Sequence, residues 1–117
     1  MMIAEQKMFD LSFLEEMDDR NFLIQVLGLY LADTPGDLGD MKQALETADA
    51  DTIGRSAHKL KSSTGMLQAN RLFSILEQTE MMSKSGVVSP QLAGLVEDAH
   101  SAFDLLKVAL QVHLKTL

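Results

Sequence analysis

Apolar residues recur three and four positions apart through most of the chain, and a few turn signals cut that repeat into helices. From about Asp10 to Met17, the residues Leu11, Leu14 and Met17 share a face, with Asp10 placed as N-cap. A longer segment opens at Asp18-Asp19, where acids suit a helix N-terminus, and runs to about Ala48. Its stripe is Ile24, Leu27, Leu31, Leu38, Met41 and Leu45. Proline removes a backbone donor and crowds the turn before it. The stripe nonetheless holds its register across Thr34-Pro35, which predicts a kink and not a break.

Asp49-Ala50-Asp51 reads as a turn and N-cap for a third helix to about Leu67, with Ile53, Ala57, Leu60, Thr64 and Leu67 as its buried stripe. A fourth segment, from about Asn70 to Met82, repeats Leu72, Ile75, Leu76 and Thr79 and ends in Ser83-Lys84-Ser85-Gly86. Ser89-Pro90 opens the last helix with a favoured cap and an N1 proline. Its apolar positions are Leu92, Leu95, Val96, Ala99, Phe103, Leu106, Leu110 and Leu114. Four long amphipathic helices on short turns predict an all-α antiparallel four-helix bundle, with the short first helix as its cap. One domain over residues 1–117 follows, with 1–8 as a loose leading segment. A bundle that buries its stripes internally has no need to dimerise, so a monomer is expected.

Composition agrees with helix and narrows the function. Few β-branched residues, many Leu, Ala, Met, Gln and Glu, and two prolines favour helix over sheet. The absence of cysteine excludes disulfides and thiolate metal sites and is compatible with a cytoplasmic location. The longest apolar run, Phe22 to Leu31, is too short to span a membrane. A net charge of −7 argues against nucleic acid as a partner.

The distribution of charge says more than its sum. Residues 52–76 contain no acid but hold Arg55, Lys59, Lys61 and Arg71, and in their midst lies His58. A local positive field would keep the imidazole neutral and attract a phosphoryl donor. His58 follows Ala57 of the buried stripe and so sits about 100° round from the core direction, on the rim. Lys61, Ser62 and Gly65 fall on the same side, three, four and seven positions on. Small residues there leave open space above the ring, and Gly65, which costs helix stability, suits a close approach.

The stretch Ala57-His58-Lys59-Leu60-Lys61-Ser62-Ser63-Thr64-Gly65-Met66-Leu67-Gln68-Ala69-Asn70-Arg71-Leu72 resembles the signature of histidine-containing phosphotransfer (HPt) domains. That signature commonly reads Ala-His-x-Leu-Lys-Gly, then small residues, then Leu-Gly-Ala and a leucine three residues later. Phe22 to Leu45 and the Ala48-Asp49-Ala50 turn also resemble the family's second helix, so the likeness spans most of the chain. It implies a phosphocarrier, not a kinase, that takes a phosphoryl group from a receiver-domain aspartate and passes it to another receiver. By position, His58 is the implied phosphoacceptor and Lys61 the cation beside it. Response-regulator receiver domains and a hybrid sensor histidine kinase are the implied partners, with magnesium carried by the receiver and no cofactor on this chain.

Two departures stand out: Ser62 replaces the glycine after the lysine, and Gln68 the glycine before the alanine. Glu80 falls where several members have Gln or Glu near the histidine, but no role is assigned to it. No Gly-rich nucleotide loop is present for ATP.

Docking falls to the rim. The second helix offers Phe22, Val26 and Leu29 beyond its core stripe, either covered by the first helix or open to a receiver. Arg55, Lys59 and Met66 complete the candidate contact set. A metal site is not expected, because Glu97 and His100 form a single Glu-x-x-His half-motif without its mate. The alternative function is a helical adaptor that binds receivers or other signalling proteins without being phosphorylated.

Overall fold

The computed structural model describes residues 8–117, and all its regular structure is helical. Residues 1–7, most of the expected leading segment, lie outside the described residues; Met8 and Asp10 are exposed, and Phe9 is half-buried. The elements are α1 (Ser12–Glu15), α2 (Arg20–Glu46), α3 (Ala50–Met66), α4 (Asn70–Ser83) and α5 (Pro90–Leu114).

Side-chain caps start three of the helices. The carboxylate of Asp19 accepts from Phe22 N, that of Asp49 from Thr52 N, and the Ser89 hydroxyl from Leu92 N. Each supplies an acceptor to an amide that the first helical turn leaves without one. Asp49 is held below the usual carboxylate range by its bonds to the Thr52 hydroxyl and amide. At the helix ends, Asp18, Ala48 and Gln68 take left-handed backbone angles that turn the chain back sharply.

Neighbours in sequence are neighbours in space. Helix α2 packs on α3 and α5, and α4 packs on the same two, which closes a ring of four around one apolar core. Leu14, Leu27, Met41, Ile53, Leu67, Leu76, Leu92, Val96 and Leu110 are fully enclosed in it. The expected antiparallel four-helix bundle is therefore the fold. Short α1 packs on α2 and buries Leu14, with Leu11 buried just ahead of it, and Asp10 N donates to Leu67 O at 2.9 Å, tying the leading segment to the end of α3.

Two expectations are corrected. The buried stripe of α2 is Leu23, Leu27, Tyr30, Thr34, Leu38, Met41 and Ala44, whereas Ile24 is exposed and Leu31 and Leu45 are half-buried. Counting only strongly apolar residues shifted the face by about one position. Tyr30 belongs to the core because its hydroxyl finds a partner inside it, Oη lying 2.9 Å from Thr64 Oγ1, and Thr34 is buried one turn further along the same face. The second correction is Met17, which is exposed because α1 ends at Glu15 and the chain turns at Asp18. Helix α2 itself runs unbroken through Pro35, which lies on its exposed face, where a lost amide costs one ladder bond but no packing.

Candidate functional site

The α3 stripe is buried as its spacing predicts, from Ile53 through Ala57, Leu60 and Thr64 to Leu67. His58, one residue beyond Ala57, stands on the rim with its side chain two-thirds exposed. Gly54, His58, Lys61 and Gly65 follow 4-3-4 spacing, which gathers them on one face, and that face meets α4.

What α4 brings to His58 is Glu80. One carboxylate oxygen, Oε2, lies 2.7 Å from His58 Nδ1, and the other, Oε1, lies 2.8 Å from Lys61 Nζ. Glu80 is largely covered, at 19% side-chain exposure, while the ring it bonds stays open to solvent. The bond to Lys61, and after it that to His58, hold the Glu80 carboxyl below the usual carboxylate range. The same bond to Glu80 raises Lys61.

This geometry selects a tautomer. A carboxylate only accepts, so Nδ1 carries the hydrogen of the neutral ring and donates it to Glu80. Nε2 then holds a free lone pair, and no other group among the described residues bonds it. Sequence reasoning gave Glu80 no role. The signal that finds it is register: His58 and Glu80 lie eleven positions either side of Ala69, so an antiparallel turn there sets them side by side.

The other expected residues separate into two concave surfaces flanking the α3 ridge. Arg55 lines a cleft with His58, Glu80, Ser83 and Lys84 on the α4 side. Val26, Leu29, Lys59, Ser62 and Met66 line an apolar groove on the α2 side. Leu29 is well exposed and Val26 half-buried, so α1 leaves this groove open. Phe22 packs half-buried against the core and does not line it. Ser62 is exposed at the groove wall, and Gly65 faces the Phe73 ring, 3.3 Å from where a Cβ would stand.

The positive field expected of the acid-free island is corrected. Arg55 pairs with Asp51 at 3.1 Å, Lys59 with Asp37 at 3.2 Å, and Lys61 with Glu80. Asp51 at the island's edge and Asp37 and Glu80 from neighbouring helices fold onto it, so Arg55, Lys59 and Lys61 do not stand as a surplus of unpaired cations. Among the described residues no three of His, Cys, Asp and Glu converge to hold a metal ion. His100 Nε2 instead bonds the Leu38 carbonyl at 3.0 Å, and His113 packs edge-on against Phe9. No helix among the described residues is long and apolar enough to cross a membrane.

Comparison with known proteins decides the family. The family model for the Hpt domain matches residues 25–112, three quarters of the chain and all of the site. The chain belongs to the Hpt domain family. No curated protein matches it. Among solved structures, histidine-containing phosphotransfer protein B from Pseudomonas aeruginosa PAO1 superposes with a TM-score of 0.88 at 18% identity, over 97% of this chain and 99% of that one. The HPT domain of a sensor hybrid histidine kinase from Shewanella gives 0.80 at 15% identity, over 94% and 96%. At those identities the likeness speaks for the fold, and the Hpt family match carries the function. Hpt domains serve histidine phosphotransfer in phosphorelays as carriers and not as catalysts, and their partners are two-component proteins.

Proposed function

We propose that His58 is the phosphoacceptor of this Hpt domain, exchanging a phosphoryl group with aspartates of receiver domains through Nε2. The observation that carries the reading is the 2.7 Å bond from His58 Nδ1 to Glu80, which leaves the lone pair of Nε2 free on an exposed ridge. In the forward step that lone pair attacks phosphorus in line with the aspartyl oxygen. The N–P bond forms, the P–O bond breaks, and its electron pair leaves with the receiver's carboxylate. The ring now carries phosphoryl on Nε2 and hydrogen on Nδ1, hence a positive charge, and the Glu80 carboxylate lies against it. Lys61 spends one of its three N–H donors on Glu80, and the other two remain to offset charge on the phosphoryl oxygens. Return to a second receiver reverses the step.

One bundle suffices for this. The chain acts without its own ATP chemistry, magnesium belongs to the receiver, and the upstream donor is the receiver of a hybrid sensor histidine kinase. The apolar groove through Val26, Leu29 and Met66 takes the receiver's surface beside the reacting ring, with Lys59 as an exchangeable charge at its edge and Arg55 as another across the α3 ridge. Ser62, at the groove wall, is the hydroxyl nearest in sequence to Lys61. No observation favours an adaptor that escapes phosphorylation.

The test is transfer from a panel of receiver domains charged with acetyl phosphate. The wild-type chain should gain one acid-labile phosphoryl group, and His58→Gln should gain none while keeping its helical content. Full labelling of that variant, or an acid-stable label, would overturn the assignment.

A further inference from the structure

We infer that Gly54 is a positioning residue for His58: its missing side chain lets α3 settle against Ser83 of α4, and that spacing brings Glu80 within reach of the imidazole. The inference rests on His58 acting as the phosphoacceptor held by Glu80. Its basis is steric. A Cβ built on Gly54 would overlap the Ser83 hydroxyl and stand 3.1 Å from Ser83 Cβ. Ser83 is buried, and its Oγ donates to the Glu80 carbonyl at 2.6 Å, so turning the hydroxyl aside breaks that bond. Even then the two Cβ atoms remain too close. Gly28, Gly36, Gly39 and Gly94, also helical, have open space where a Cβ would stand. Gly54 is therefore pressed against its neighbour in a way most of the helical glycines are not.

The contact is in register with the chemistry. Gly54 lies four residues before His58, and Ser83 three after Glu80, so the two pairs sit one turn apart along the same antiparallel seam. On the other side Gly65 meets Phe73, four residues either side of Ala69, and the two glycines bracket the His58, Lys61 and Glu80 cluster. Once the hydroxyl has turned, the remaining overlap asks the helices to give by a few tenths of an ångström, and a hydrogen bond of 2.7 Å weakens as such a shift lengthens it and spoils its angle. Glu80 already spans donors on His58 and Lys61, which leaves it no slack to follow a displaced helix. Alanine is also a better helix former than glycine, so any harm from Gly54→Ala comes from spacing and not from α3 itself.

The readout is the tautomer of His58. Two-bond proton–nitrogen spectra of histidine-labelled protein, at mildly alkaline pH and assigned with His58→Gln, should show Nδ1 protonated and Nε2 bare in the wild type. In Gly54→Ala the two nitrogen shifts should move toward each other as the other tautomer fills, and single-turnover transfer should slow by about three- to tenfold. Gly54→Ala with Ser83→Gly should restore both, because the second change returns the space that the first one filled. A folded Gly54→Ala with wild-type shifts and rate overturns the inference, as does a double variant that recovers neither. If Gly54→Ala alone does not fold, the double variant decides by the same two readings. A tautomer that responds to Gly54→Ala in a protein that never takes phosphoryl on His58 would keep the spacing and sink the phosphoacceptor reading. An Nε2-protonated ring in the wild type would sink the inference at its root.

Discussion

Helix α3 presents Gly54, His58, Lys61 and Gly65 to α4, and Lys59, Ser62, Ser63 and Met66 to the groove it shares with α2. The α4 seam is close and polar: two glycines, one carboxylate, and bonds of 2.7 and 2.8 Å from its two oxygens. The α2 seam is open and apolar above, with Leu29 and Met66 exposed, and is pinned below by the buried Tyr30–Thr64 bond. Chemistry that depends on which ring nitrogen holds a hydrogen tolerates little displacement. A surface that must receive more than one partner gains from flexible side chains such as methionine and from shallow relief. On the proposed reading the two sides of one helix divide the work, with position held on one and adaptability kept on the other.

The sharpest break in that division comes from Glu80→Ala. It strips His58 of the acceptor that fixes its tautomer and leaves Lys61 without its partner. Transfer measured in single turnovers should fall about ten- to a hundredfold, the scale on which loss of an orienting partner acts at metal-bound histidines. Binding of the unphosphorylated receiver, measured by titration calorimetry, should change little. Equal loss of both would mean that the α4 seam is a docking surface after all.

Next in size is Thr64→Val on the other side. Tyr30 loses its bond to Thr64, in a setting where burial holds its hydroxyl above the usual tyrosine range. The bundle should lose about 1–3 kcal/mol in denaturant unfolding, the cost of removing one partner from a buried hydrogen bond. Transfer rate below the melting range should stay put. A rate that falls with stability would tie the two seams together.

Leu29→Ala probes the groove itself. Leu29 is 62% exposed, so its loss costs the fold little. Receiver affinity should weaken by about three- to tenfold, the scale of one partly buried leucine at an interface, with the His58 tautomer unchanged. Unchanged affinity would move docking to the cleft lined by Arg55, Ser83 and Lys84.

Acid separates the seams without mutation. Glu80 is held low by Lys61 and His58, so its contribution to stability is full above the ordinary glutamate range and fades as pH falls through the lowered value. Lys61 is raised, so its contribution is full below the ordinary lysine range and fades as pH rises through the raised value. The α4 seam therefore has an acid limit and an alkaline one. In Glu80→Gln the acid slope of the melting temperature between those carboxylate values should flatten, leaving the part due to Asp49. An unchanged slope would remove Glu80 from the balance.

How much of this the sequence carries differs between the seams for a physical reason. Bundle, the ends of the four long helices, the caps of α2, α3 and α5 and the α3 stripe follow from spacing and turn chemistry, which are local. Helix α1 is shorter than expected, and its N-cap is Leu11 and not Asp10. His58 on the rim followed from phase alone. Glu80 was passed over because its partner lies across a turn, and only the mirror register about Ala69 brings them together. The same cause undid the positive island: Asp37 and Glu80 neutralise it from other helices, which a window along the chain cannot see. On α2 the face was misjudged by about one position, since Tyr30 looks polar until Thr64 supplies a partner.

The smallest effect expected lies at the turn on which that register depends. Gln68 sits at φ +49, where the family signature places glycine, and the chain bends there from α3 into α4. A side chain in the left-handed region crowds its own carbonyl at a cost of about 1–2 kcal/mol, while glycine frees the unfolded chain by somewhat less than 1. Gln68→Gly should therefore stabilise the bundle by about 0.5–1 kcal/mol in denaturant unfolding. The helix spacing at Gly54 and Ser83 lies more than three turns away from the bend, so the His58 tautomer should not move. A shift in that tautomer would show that the bend, and not the glycine contact, sets the distance between His58 and Glu80.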